Sequence, residues 1–186
     1  TAIGYIALNN AGGAQNTAVG SRALQDMTTG DDNTAVGYHA LHTNTTASDN
    51  TAVGSGALFA NTTGRDLAAV GTGALTSNTT AVENAAFGKG AMTNTTTGAY
   101  NTAVGTNSLY TNIAGTNNVA VGRDALLMST ASNNTGVGKH ALTANTTGTE
   151  NVSVGTNALD ANTTGDANTA VGAYALDANT TASNNT

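Results

Sequence analysis

Large aliphatic side chains are sparse along this chain, and they fall at fixed intervals. The phrase Thr34-Ala35-Val36-Gly37-Tyr38-His39-Ala40-Leu41 recurs with small changes, starting at Thr1, Thr17, Thr34, Thr51, Ala68, Ala85, Thr102, Val119, Thr135, Val152 and Thr169. Its spacing is seventeen residues, shortened to sixteen after Thr1 and after Val119. Numbered from the first residue of the phrase, column 3 is always Val, Ile or Phe, and column 8 is Leu except at Met92. A short fixed period of this kind predicts stacked coils, each burying its apolar side chains against the next.

Column 4 is Gly in every copy, as in Gly37 and Gly105. A position that never carries a Cβ predicts a sharp corner, placed here between a strand at columns 1 to 3 and a second strand at about columns 6 to 10. Gly in every coil, with abundant Thr and Asn, disfavours helix. The expected fold is therefore all-β: a parallel β-solenoid of eleven coils over residues 1–186, one uncapped repeat array read as a window of a longer solenoid or a stacking subunit. At about 4.8 Å per coil the rod would be roughly 50 Å long.

Columns 2 and 7 are also restricted, always to small residues. In a strand neighbouring side chains take opposite faces, so the expectation puts Val36 and Leu41 inside the coil, with Ala35 and Ala40 on a second face. Two readings account for that restriction. In the one carried forward, another chain covers the alanines, which makes Ala18, Ala35, Ala52, Ala103, Ala170, Ala40 and Ala57 inter-chain packing residues; in the other, the coil is thin enough to crowd both faces internally.

The second half of the repeat reads as turns. Asn fills column 17 in ten of eleven copies, Leu67 being the exception, and Asn-Thr-Thr recurs from column 11. Asn closes local turns and accepts left-handed backbone, and Asn residues stacked in register can hydrogen-bond along the rod. Asn-x-Thr is also the acceptor pattern for N-glycosylation, giving candidates Asn44, Asn61, Asn78, Asn94, Asn145, Asn162 and Asn179. A plain turn ladder is the simpler account, since acceptors one coil apart would crowd their glycans.

Composition narrows the function. Leu, Ile, Val and Phe number only 29 of 186 residues, a proportion typical of disordered chains, but disorder gives no reason for register. The net charge of -6, with five Lys or Arg, disfavours nucleic acid and anionic membranes. No run approaches the roughly 20 apolar residues of a membrane-spanning helix, and there is no cysteine. The histidines His39, His42 and His140 sit at variable columns and read as surface residues. Asp160 and Asp177 stack in column 9 and read as a solvated edge, not a calcium site. No nucleophile, base and oxyanion donor assemble from residues in a distinctive setting, so no enzyme, cofactor or metal site is expected.

The phrase Thr-Ala-Val-Gly-x-x-Ala-Leu, with its variant Val152-Ser153-Val154-Gly155, resembles the head repeat of the trimeric autotransporter adhesins, the YadA-like family; similar repeats occur in phage tail-fibre proteins. The resemblance implies a left-handed roll, three chains side by side and an extracellular adhesive role. The repeat here is longer, with an added Asn-Thr-Thr turn, and nothing matches the family's neck, stalk or anchor. The expected function is a structural part of an extracellular or cell-surface fibre, displaying columns 5, 6, 9 and 10 to host matrix or surface glycans by multivalent contact. The alternatives are a receptor-binding tail fibre on a virion and, from a different class, an ice- or crystal-binding Thr ladder.

Overall fold

The computed structural model describes residues 1–10 and 12–186 of the chain. Eleven short strands, β1 (Ala2–Ile3), β2 (Thr17–Val19), β3 (Thr34–Val36), β4 (Thr51–Val53), β5 (Ala68–Val70), β6 (Ala85–Phe87), β7 (Thr102–Val104), β8 (Val119–Val121), β9 (Thr135–Val137), β10 (Val152–Val154) and β11 (Thr169–Val171), form a single sheet. All neighbours are parallel and follow chain order, and each column sits on itself: Val36 pairs with Val53, and Ala35 with Ala52. The chain is a β-solenoid with one strand per coil. The two sixteen-residue spacings leave this register intact, since Ile3 pairs with Val19 and Val121 with Val137.

Columns 6 to 10 are not a second strand. Column 6 has φ between 54° and 69° and column 8 between 49° and 54° in every coil, so a Leu or Met stands in left-handed backbone each time column 8 recurs. That conformation costs about 1–2 kcal/mol for a residue with a Cβ. It persists because it turns alternate N–H groups along the rod: His39 N–H donates back to Ser21 O at 3.1 Å, and Leu41 N–H donates forward to Ala57 O at 3.0 Å. The turn is thus hydrogen-bonded from coil to coil like a sheet, while curling tightly enough to close the cross-section.

Tight closure keeps column 8 inside as expected but reverses the expected assignment of columns 2, 3 and 7. Column 2 alanines and column 7 alanines are buried inside the coil together with the column 8 leucines, whereas column 3 valines face outward and reach 37–39% exposure at Val104 and Val154. Ala18, Ala35, Ala40, Ala52, Ala57 and Ala103 are fully buried and Ala170 is 2% exposed within one chain. They have no surface left for a partner, and the inter-chain role assigned to them is corrected accordingly. The physical reason is space. A Cβ built at Gly136 in column 2 would lie 3.2 Å from Leu126 Cγ and 3.2 Å from Ala141 O, so a methyl group fills the place that a valine would overfill. Where column 2 carries a hydroxyl, Ser153 Oγ donates to Ala158 O at 2.7 Å.

The Gly corner has two causes. At Gly37 φ is 139°, and a Cβ there would meet Gly54 O at 2.5 Å in the next coil. Either would exclude other residues.

Most of the rest of the interior is amide. In column 17, Asn151 N–H and Nδ2 donate to Asn134 Oδ1 at 3.0 and 3.2 Å, and Nδ2 donates also to Gly165 O at 2.8 Å. In column 11, Asn162 Nδ2 donates to Asn145 Oδ1 at 3.0 Å and to Gly165 O at 3.0 Å. These are the expected amide ladders, and they lie inside the rod, where they supply partners for backbone groups that the turn cannot pair.

Candidate functional site

Three strips run along the outside of the rod. The first is the outer face of the sheet, formed by columns 1 and 3. The second is the turn face of columns 5, 6, 9 and 10, and the third is the Thr-rich and acidic turn of columns 12 to 16.

The glycosylation candidates belong to the interior rather than to any strip. Asn44, Asn61, Asn78, Asn145 and Asn162 are fully buried, and their amides hold the turn: Ala47 N–H donates to Asn44 Oδ1 at 3.2 Å while Asn44 Nδ2 donates to Ala47 O at 3.1 Å. A transferase could reach them only by unfolding the coil. Asn179, in the last coil, makes the same Nδ2 bond to Ala182 O at 3.0 Å and is half-buried. Asn94, displaced to column 10, is also half-buried, and Thr95 fills its place in the interior.

On the third strip, column 12 hydroxyls are engaged, as Thr62 Oγ1 is with Thr79 O at 3.0 Å, while column 13 threonines such as Thr63 and Thr80 are exposed. Column 16 repeats left-handed backbone, φ 53–62°, and places the exposed carboxylates of Asp32, Asp49, Asp66 and Glu83 in consecutive coils. That ladder went unremarked in the sequence, although Asp and Asn favour left-handed backbone and crowd this column. Among the described residues no three His, Cys, Asp or Glu side chains converge on a possible metal position. Asp160 is half-buried and Asp177 exposed.

The turn face carries the side chains with the most varied chemistry, in two groups. Around coils 3 and 4, Tyr38, His39, His42 and Phe59 stack: ring centroids are 4.0 Å apart for Tyr38 and His39, 4.5 Å for the two histidines, and 5.2 Å for His42 and Phe59. His39 Nε2 and both ring nitrogens of His42 are buried without a hydrogen-bond partner. Burial, then the neighbouring His42 and Arg22, lowers the His39 pKa below its ordinary 6.5. His42 Nδ1 is 3.7 Å from Asp26 Oδ2. His39 and His42 therefore belong to a packed aromatic cluster on this outer face.

The second group lies in coils 7 to 9. Asp124 Oδ1 accepts from Asn107 Nδ2 at 3.1 Å, and Asp124 Oδ2 lies 3.1 Å from Arg123 Nε and 3.4 Å from His140 Nε2. Beside this network an open hollow of about 390 Å³ is lined by Asn107, Tyr110, Thr111, Leu127 and Met128. Thr111 Oγ1 donates to Leu127 O at 2.9 Å and fixes its wall. Sequence reasoning marked columns 9 and 10 for display but missed the hollow, whose signal is that Leu127-Met128 is the one pair of large apolar residues at those columns.

No protein-family model, curated protein or solved structure matches this chain. The class defined by fold and surface is a repeat protein with a β-solenoid fold, built of one-strand coils with an amide-lined interior.

Proposed function

We propose that this solenoid is a stiff segment of an extracellular fibre, on a cell surface or a virion tail, in which several copies pack side by side and present their turn faces outward. The observation carrying the proposal is the outer face of the sheet. Val19, Val36, Val53, Val70, Phe87 and Val104 stand one above another with Thr or Ala in column 1 beside them, and Phe87 is 42% and Val104 39% exposed. At roughly 50 Å² for each of these six side chains, the stripe leaves about 300 Å² of apolar surface, comparable to the largest patch that single chains keep bare. Second copies are suited to cover it, because a partner with the same pitch meets every coil in register. Side-by-side packing of three chains, and the left hand of the coil, rest on the resemblance to trimeric adhesin heads. So does the extracellular setting.

A second reading has a specific observation behind it. The same face is in register from strand to strand, with a Thr and a Val two residues apart in most strands and repeated at about 4.8 Å between strands; an ordered surface such as ice would meet a regular lattice. The Thr ladder relevant to that reading is column 1, not the turn columns 12 and 13.

Mass photometry and sedimentation of the chain test both. The fibre reading expects a stable oligomer that Val70→Glu and Val104→Glu together convert to folded monomer. A monomer at tens of micromolar without those changes overturns it, and thermal hysteresis from that monomer would establish the second reading.

A further inference from the structure

The hollow in coils 7 and 8 departs from the repeat in a way the fibre scaffold does not require. Every other coil places at least one polar residue or an alanine at columns 9 and 10, whereas coil 8 has Leu127 and Met128, the latter 47% exposed. The same coil is one residue short in its turn, and it also supplies Arg123 and Asp124 to the ion-paired network. A lateral seam between copies needs a contact at each coil, so a feature present in one coil of eleven is suited to a discrete ligand.

We propose that this hollow binds a pyranose ring of a surface glycan, which deepens the adhesive reading above and rests on it. Its volume of about 390 Å³ falls within the range of small-ligand sites. Its chemistry is divided as a sugar is. Tyr110, Leu127 and Met128 offer an apolar platform for the C–H face of the ring, with the Tyr110 ring as its flat element. Asn107 stands at the rim in left-handed backbone, φ 54°. One N–H of its Nδ2 donates to Asp124, which fixes the amide and leaves its second N–H for a sugar hydroxyl, while its Oδ1 is turned toward Gly90 of the preceding coil. Arg123, 56% exposed in its side chain, borders the same network. Asp124 acts as the positioning residue: it holds Asn107 without itself lining the hollow.

Saturation-transfer NMR with the methyl pyranosides of glucose, galactose, mannose and N-acetylglucosamine, each at millimolar concentration, tests the site. Transfer to at least one of them is expected, falling at least tenfold in Tyr110→Ala and in Leu127→Asp and unchanged in Tyr38→Ala. Leu127→Asp keeps the coil because Asp160 and Asp177 occupy the same column, and circular dichroism confirms that both variants fold. No transfer to any of the four sugars, or transfer retained in both folded variants, overturns the proposal. Oligomer mass measured on the same samples separates its failure from that of the fibre reading, since an intact oligomer without transfer refutes only the sugar site.

Discussion

Replacing Asn151 by Ala tests whether the column 17 ladder holds the coils together. The Asn151 side chain makes four hydrogen bonds: Nδ2 donates to Asn134 Oδ1 at 3.2 Å and Gly165 O at 2.8 Å, and Oδ1 accepts from Asn168 N–H and Nδ2, both at 3.0 Å. Three of the partners keep another bond. Asn134 Oδ1 retains the Asn151 N–H at 3.0 Å, Gly165 O retains Asn162 Nδ2 at 3.0 Å, and Asn168 Nδ2 retains Ala182 O at 2.9 Å. The backbone N–H of Asn168 keeps none. A buried donor left unpaired costs about 1–3 kcal/mol, and the remaining lost bonds add about 0.5–1.5 kcal/mol between them after partial compensation. The expected total is about 2–4 kcal/mol, or roughly 5–15 °C in Tm for a chain of this size. Asn151→Leu refills the space but still supplies no acceptor, and is expected to recover about 1–2 kcal/mol relative to Ala. Leu67 is the natural precedent: its N–H donates to Asn50 Oδ1 at 3.1 Å, but its side chain cannot pass the ladder on. Because repeat arrays open locally, the assay is amide hydrogen exchange alongside thermal unfolding. Unchanged protection at the Asn168 amide, or a loss of stability below about 0.5 kcal/mol, would refute the reasoning.

Ala103→Val is expected to destabilise by about 1–3 kcal/mol by overfilling the coil, while Val104→Thr, one residue on and outside, stays within about 0.5 kcal/mol in the isolated chain; urea unfolding compares them. Gly37→Ala is expected to lose about 3 kcal/mol or more through strain and collision, whereas Gly56→Asn is tolerated, since no atom lies within 4 Å of its Cβ position and φ 67° suits Asn. Lowering pH is expected to weaken the coil at His39: with the folded pKa depressed below 6.5, the unfolded chain binds more protons as pH falls from about 6.5 to the folded pKa. The stability lost in that window should shrink in His39→Asn, read as the difference in Tm between pH 7.5 and pH 5. Co-expression with an oligosaccharyltransferase should leave Asn44, Asn61, Asn78, Asn145 and Asn162 unmodified in the folded chain by peptide mass spectrometry; sugar on any of them would contradict their burial.

Several structural features were legible before any coordinates, for reasons that particular residues make plain. Gly37 and its equivalents mark a corner because two independent constraints exclude every side chain there. Asn33, Asn50 and their stack mark ladders because an amide is donor and acceptor at once. The left-handed turn was legible too, though it was read as strand: column 6 is Gly, Asn, Asp or His in eight of eleven copies, the residues that accept positive φ. Column 8 concealed it, since a Leu held at φ near 50° looks from its sequence like any buried strand residue. The hollow at Tyr110 needed coordinates because Asn107, Tyr110 and Leu127 come from two coils.

By itself the order of residues determined the period, the stacking register, the strand at columns 1 to 3, the corner and the amide ladders, because each depends on one column meeting itself in the next coil. Tertiary structure alone decided which side of that strand is inside. An alternation of small and bulky residues is compatible with either face being buried, and the choice rests on the width of the closed coil. With two left-handed residues tightening the turn, there is room beside each Leu for a methyl group but not for an isopropyl, so Ala35 goes in and Val36 remains outside.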